Sequence, residues 1–406
     1  MTGTLVVGAG QAGVQLAVSL RESGDTMPIT LMGAEPQLPY QRPPLSKGYL
    51  SGDTDADRLA LRTAAFYADR GIELVTGERI TALDTGRAVT DRGREIAFDR
   101  LGLTVGARVR RLRVPGAALD GVHHLRDLAD ADRLRTALAG TRPVVVVGGG
   151  FIGLEAASVA RAHGRPVTVV EATDRLLGRA VAPVVSAFYA GAHARRGVRV
   201  LLDTGVTALD GTAGRVRSVH LTDGGELPAA LVLVGIGVEP RTELATGLGL
   251  ACPGGIPVDL DARTALPSVV AAGDCTLQPH PTGGGHAPVR VESVQNAVHQ
   301  ATVAATTLAG VARPTPEVPW FWSDQADLKL QIAGLAAGAD EIVVRGDPAA
   351  ERFAALHYRD GRLQAVDAVN SPADFLVVRR ALATGTELPA SAARRTDRPL
   401  KELLVA

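Results

Sequence analysis

Two cysteines in 406 residues leave little material for thiol chemistry. Cys252 and Cys275 form no C-x-x-C pair and no cluster of metal-ligand spacing, so both read as buried thiols in a reduced compartment. Aromatics are scarce at 3% of the chain against 46% hydrophobic residues, so the cores must be built from Ala, Val, Leu and Ile. Lysine occurs only at Lys47, Lys329 and Lys401, the remaining 40 basic residues being arginine. A lysine kept against that bias draws attention to Lys47, because a compact ammonium and a planar guanidinium are not interchangeable. Charge of either sign is not in excess: Lys+Arg and Asp+Glu are both 43. That balance argues against a molecule-wide nucleic-acid surface and leaves room only for local basic patches. No apolar run reaches membrane-spanning length, and the first apolar strand begins at Thr4, which leaves no room for a signal peptide. The expectation is a cytoplasmic protein with no membrane and no nucleic-acid partner.

What the chain does contain is one glycine fingerprint written twice. Gly8-Ala9-Gly10-Gln11-Ala12-Gly13 follows Thr4-Leu5-Val6-Val7, and Gly148-Gly149-Gly150-Phe151-Ile152-Gly153 follows Val144-Val145-Val146-Val147. Strand, Gly-x-Gly-x-x-Gly and helix is the order of a pyrophosphate-binding βα turn. The first glycine makes the turn, the second admits the ligand to the backbone, and the third lets helix and strand pack closely. The diphosphate then meets the positive end of the helix. One such match is weak evidence; two in the same context imply two dinucleotides in one polypeptide.

The first unit continues through strand Ile29–Met32 into Glu35–Lys47, where four prolines predict a rigid extended loop. Short β-like runs occupy 72–105, and a helix over about 127–139 opens the second unit, whose second strand Val167–Val170 ends in Glu171. Later come the strand 231–234 with its glycine turn Gly235-Ile236-Gly237, the strand 268–272 closing on Gly273-Asp274, and a helix over roughly 291–309. Pro314, Pro316 and Pro319 mark a linker into an alternating, antiparallel-sheet-like tail with a helix at about 372–384. The fold class expected is α/β: two Rossmann-like dinucleotide-binding domains, an arrangement similar to glutathione reductase, plus a C-terminal α+β domain.

An acid about 20 positions past each fingerprint binds adenosine ribose hydroxyls in such folds. Glu171 ends a clean strand and predicts NADH rather than NADPH, since a carboxylate repels a 2′-phosphate. Glu35 is separated from its strand and fits either a ribose ligand or a loop charge. Asp274 suits a flavin ribityl chain, and the helix start near Glu292-Ser293-Val294 suits the flavin pyrimidine, where a helix dipole stabilises negative charge. In isolation Asp274 reads better as an ordinary strand–turn residue; after two fingerprints the flavin reading is preferred.

Taken together, Tyr40–Lys47, Gly148–Glu155, Gly235–Pro240, Ala272–Cys275, Val291–Ala297 and Trp320-Phe321-Trp322-Ser323-Asp324-Gln325 resemble the FAD-containing NADH:ferredoxin reductases that serve bacterial cytochrome P450 and ring-hydroxylating oxygenase systems. The resemblance spans essentially the whole chain. It implies hydride transfer from NADH to FAD and single electrons onward to a [2Fe–2S] ferredoxin feeding a P450 or dioxygenase. It assigns the chemistry to Lys47, beside the flavin, Glu155, near the nicotinamide, and Trp322, at the flavin edge. It assigns cofactor contacts to Gly8, Gly10, Ala12, Gly13, Glu35, Arg42, Ile80, Arg126, Asp274 and Val294 for FAD, and to Gly148, Gly150, Ile152, Gly153, Glu171, Gly235 and Gly237 for NADH. A surface lysine, a helix glutamate and a core tryptophan are the plainer alternatives for Lys47, Glu155 and Trp322. It also implies an FAD domain of residues 1–108 and 240–316, an NADH domain of 109–239, and a domain of 317–406 that covers the flavin and helps form the ferredoxin surface. Gly283-Gly284-Gly285 departs from the pattern.

The rivals are a rubredoxin reductase, a disulfide or peroxide reductase, and an NADH-responsive binding flavoprotein of the apoptosis-inducing-factor type. A thiol enzyme needs a cysteine against the flavin, and Arg42–Lys47 contains none. Clusters at Arg108–Arg113, Arg379-Arg380 and Arg394–Arg398 are candidates for steering an acidic partner, with solvated surface charge the alternative.

Overall fold

The structure, a computed structural model, describes residues 2–140, 143–281 and 287–405, so Gly283–Gly285 lie outside the described residues. The chain divides into two compact units. One comprises Met1–Gln41, Ala56–Arg108 and Val238–Pro319; the other comprises Arg42–Asp55, Val109–Gly237 and Trp320–Ala406.

The first unit is built on a five-stranded parallel sheet in the order Val269–Ala271, Arg100–Leu103, Thr4–Val7, Ile29–Gly33, Ile72–Thr76. Its central strand is buried at every position, as a parallel sheet covered on both faces demands. Helix Gln11–Glu22 packs beside helix Val294–Ala309 through Val14, Ala17, Val18, Ala301, Ala304 and Ala305. Small side chains let the two helices approach closely, which is how a core poor in aromatics reaches full packing. A three-stranded meander, Ile80–Asp84, Arg87–Thr90 and Glu95–Ala97, intervenes between the third and fourth strands.

The second unit repeats the plan. Its parallel sheet runs Val198–Leu201, Val167–Val170, Val144–Val147, Leu231–Val234, Val122–His123, with a meander of Val206–Thr212, Arg215–Leu221 and Glu226–Pro228 in the same place. The tail adds an antiparallel sheet ordered Trp320–Gln325, Leu328–Gly334, Arg362–Val369, Arg352–Arg359, Glu341–Asp347. Strict polar–apolar alternation is not found in its central strands, which are buried on both faces. The reason is that each face has a partner. On one, Phe375 of helix Pro372–Thr384 meets Trp320; on the other, Phe188 of helix Pro183–Arg195 meets Phe353 at 5.1 Å between ring centroids.

Two sequence expectations change. The proline-rich segment is not extended throughout: Pro43–Ser46 form a 3-10 turn followed by the short helix Gly48–Ser51. Prolines are accepted there because the first residues of a helical turn have no intrahelical use for their N–H. The helix expected from 291 starts at Val294, because the Ser293 hydroxyl accepts from Asn296 N at 3.1 Å and caps it.

Candidate functional site

Each fingerprint uses its three glycines differently. Gly8 has φ +109, and a side chain there would meet the backbone of Thr104. Thr104 Oγ1 donates to the carbonyls of Gly8 at 2.8 Å and Val7 at 3.0 Å, holding the turn. A Cβ on Gly13 would land on the Gly8 carbonyl oxygen, whereas a Cβ on Gly10 would meet nothing within 4 Å. Gly148, Gly153 and Gly150 repeat this division: φ +106 against Gly235, contact with the Gly148 carbonyl, and open space with its nearest atom 3.9 Å away. Two glycines in each turn therefore serve packing, and the middle one leaves a free approach to the helix N-terminus, the shape a dinucleotide pyrophosphate requires. The residues present fit the two cofactors.

Around the first turn, Ala12 is buried in the opening of the helix, and Ile80 is buried at the start of the meander. Glu35 Oε2 accepts from the Tyr40 hydroxyl. Asp274 follows strand Val269–Ala271, and its turn is pinned by buried Gln300, whose Oε1 accepts from Gly273 N at 2.8 Å and Thr276 Oγ1 at 3.0 Å. Val294 is the first residue of the capped helix, so its end presents free backbone N–H groups.

Around the second turn, Glu171 reaches back to the fingerprint. Its Oε2 accepts from Gly149 N at 2.7 Å, and Oε1 accepts from Thr173 N and Oγ1 at 2.9 and 2.8 Å. Ile152 is exposed on the first helical turn. Gly235 packs against Gly153, and Gly237, at φ +95, accepts from Arg110 N at 2.9 Å. Arg42 Nη1 donates to the Arg126 carbonyl at 2.8 Å, while Arg126 N donates to Asp130 Oδ2 at 3.0 Å.

The second unit also gathers a buried polar cluster that brings Lys47 and Glu155 together. Glu155 lies in helix Phe151–Ala162, with its side chain only 1% exposed. Its Oε2 accepts from Lys47 Nζ at 2.7 Å and from the Ser46 hydroxyl, and its Oε1 accepts from Ser323 Oγ at 2.6 Å. A buried carboxylate is tolerable only when paired and fully hydrogen-bonded, and this one is. Strand alternation brings the donor from the tail. Phe321, Ser323 and Gln325 share one face of Trp320–Gln325 and meet, in turn, the Phe151 ring at 4.6 Å, Glu155, and His193 Nε2 at 2.8 Å. Phe151 and Glu155 are one helical turn apart, so the two periodicities match. Burial pushes the His193 pKa down, against the opposing effect of its bond to Gln325, so the ring is neutral at neutral pH.

Trp322 is not in this cluster. It occupies the other face of the strand, its ring centroid 5.8 Å from that of Trp320, over which the Arg379 guanidinium lies at 5.0 Å. Ser46, Ser323, Gln325, His193, Gln300 and Thr104 were not singled out by sequence reasoning. For Ser323 and Gln325 the signal lies in the period-two spacing of Trp320–Gln325, the segment that also carries the resemblance. For His193 and Gln300 no local signal existed.

The model of the family described as pyridine nucleotide-disulphide oxidoreductase matches residues 2–301, and that described as reductase C-terminal matches 320–404. The chain belongs to the pyridine nucleotide-disulphide oxidoreductase family. It is 45% identical over 399 residues to rhodocoxin reductase of Rhodococcus erythropolis, covering 98% of this chain and 93% of that one. Among solved structures it superposes with a TM-score of 0.96, at 40% identity and 100% coverage of both chains, on the ferredoxin reductase for the CYP199A2 system of Rhodopseudomonas palustris. The putidaredoxin reductase–putidaredoxin covalent complex gives 0.95 at 36% identity, covering 98% of this chain and 97% of that one. The reductase is thus a flavoprotein that draws electrons from a pyridine nucleotide. The disulphide of the family's name has no counterpart at Arg42–Lys47, and burial pushes the Cys275 thiol up to about 12, where it is inert at neutral pH.

Proposed function

We propose that this chain is a cytoplasmic NADH-dependent ferredoxin reductase that holds FAD and passes electrons to a [2Fe–2S] ferredoxin serving a cytochrome P450 or a ring-hydroxylating dioxygenase. The observation that carries the reading is the Lys47–Glu155 pair: a buried ionic contact stands in the Arg42–Asp55 segment, where a thiol reductase needs a cysteine. When bound, FAD supplies the conversion of a two-electron donor into one-electron transfers, which is the cofactor's own chemistry.

The protein's part is to bind and orient. Gly8–Gly13, Glu35, Ile80, Asp274 and Val294, from 1–108 and 240–316, hold FAD, with Arg42 and Arg126 completing its contacts. Gly148–Gly153, Glu171, Gly235 and Gly237, from 109–239, receive NADH, the carboxylate of Glu171 excluding a 2′-phosphate. Glu155 fixes the Lys47 ammonium, which offers a stationary positive charge to the reduced cofactor. Residues 317–406 cover the flavin and present Trp322 at the exit towards the partner. Among the described residues no helix is long and apolar enough to cross a membrane. The two free thiols support the assignment to a reducing compartment.

NADH-driven cytochrome c reduction across a panel of [2Fe–2S] ferredoxins, with rubredoxin and an aromatic disulfide as competing acceptors, tests the reading. Turnover through at least one ferredoxin and none through the disulfide is expected. Turnover with the disulfide, or with rubredoxin alone, would reject it.

A further inference from the structure

Glu155 is held from three sides, and two of its donors come from the segment that carries Lys47 itself. The third, Ser323, comes from the tail, and the bonds behind it have a defined direction. Gln325 Oε1 can only accept, so the His193 Nε2 that faces it at 2.8 Å carries the proton, and burial keeps the ring neutral with that single N–H. With that oxygen taken, the Gln325 amide nitrogen donates to Ser323 Oγ at 3.1 Å. The hydroxyl of Ser323 has one proton, and with its oxygen already accepting, that proton is directed to Glu155 Oε1. Ser323 and Gln325 have no solvent exposure and His193 only 2%, so no water competes for these bonds. The helix carrying His193 is fastened to the same sheet at its start, where Asp367 Oδ2 accepts from Ala182 N at 2.7 Å.

The geometry points to a positioning arm that runs from helix Pro183–Arg195 through the first strand of the C-terminal domain: His193, Gln325 and Ser323 deliver one oriented hydrogen-bond donor to Glu155 and thereby fix where the Lys47 ammonium stands. The inference rests on the proposed roles of Lys47 and Glu155 and extends them to residues that act through Glu155. Removing the Ser323 hydroxyl leaves a buried carboxylate oxygen without a donor, so the carboxylate turns in search of another and releases its grip on Lys47.

Two readouts test it, one of them independent of turnover. In the oxidised holoprotein without nucleotide, acylation of Lys47 measured by peptide mass spectrometry has Lys329 and Lys401, both exposed, as internal standards. In the holoprotein, stopped-flow flavin reduction by NADH separates the rate at saturation from the half-saturating concentration. Ser323→Ala is expected to raise Lys47 labelling several-fold and to slow flavin reduction about 10-fold, with half-saturation unchanged. On a Glu155→Gln background it should add nothing to either. Gln325→Met, which keeps the volume but has no N–H, should act in the same direction and more weakly, and decides the matter should Ser323→Ala not fold. Unchanged Lys47 labelling, or an equal effect on the Glu155→Gln background, would overturn the arm. If Glu155→Gln alone leaves flavin reduction untouched, the role given to Glu155 fails, while Lys47 labelling still judges the arm.

Discussion

The two dinucleotide-binding units share a strand order, a meander and a glycine turn, yet they differ in two places, and those differences divide the labour. The first is the edge strand. In the second unit it comes from upstream, Val122–His123, and leads into Arg126; in the first it comes from far downstream, Val269–Ala271, and leads into Gly273-Asp274. The first domain is therefore completed only after the second has been threaded through it. The other difference is the connection from second to third strand. In the second unit it holds the single helix Pro183–Arg195, tied to the C-terminal sheet through Ala182, His193 and Arg196. In the first it is the long excursion whose Arg42–Asp55 segment, with Lys47, belongs to the second compact unit. One template is thus varied at one edge and one connection, and the proposed division into a resident and a transient cofactor site rests on those two differences.

The comparison breaks most sharply at the third glycines. Gly13→Ala should yield protein with little bound flavin, and Gly153→Ala should retain flavin but need roughly 30-fold more NADH, as overpacking against a carbonyl costs about 1–3 kcal/mol. Flavin content per chain and NADH titration read the two outcomes; loss of flavin from Gly153→Ala would contradict the division. Next in size, Asp367→Ala strips the fully buried carboxylate that accepts from Ala182 N and His357 Nε2 and leaves both donors unsatisfied. Urea unfolding should show a loss of about 2 kcal/mol.

Glu171→Ala should weaken NADH about 10-fold and narrow its advantage over NADPH, since hydrogen bonds to a charged group are worth about 1.5–3 kcal/mol. Steady-state KM values for the two nucleotides check it. Glu35→Ala should leave both values unchanged.

The smallest effect concerns pH. The hydrogen bonds of Glu351 to Arg196 and then Arg195 lower its pKa from 4.5 to about 2. A carboxylate depressed in the folded state stabilises fully above the unfolded value, and that contribution is lost as the pH falls from about 4.5 towards 2. Solvent reaches the partners, so about 1 kcal/mol or less is at stake. Thermal unfolding of Glu351→Gln across that range should be flatter than that of the parent chain.

Much of this was legible beforehand because it is local. The paired fingerprints, the strand-ending Glu171 and the cysteine-free Arg42–Lys47 each depend on neighbours within a few residues. The 3-10 turn at Pro43–Ser46 was missed because proline forbids a helix interior but not its first turn. The double burial of Arg352–Arg359 was missed because alternation describes a sheet with one wet face, and both faces here are covered.

By itself, then, the sequence determined that two nucleotides bind and that Arg42–Lys47 holds no cysteine, since glycine spacing and residue identity suffice for both. Only the tertiary structure decided that Lys47 and Glu155 are one ionic pair with Ser323, Gln325 and His193 behind it. Those residues come from a loop, two helices and a strand far apart in the chain. A buried carboxylate selects its partners by proximity and desolvation, which no local pattern of residues records.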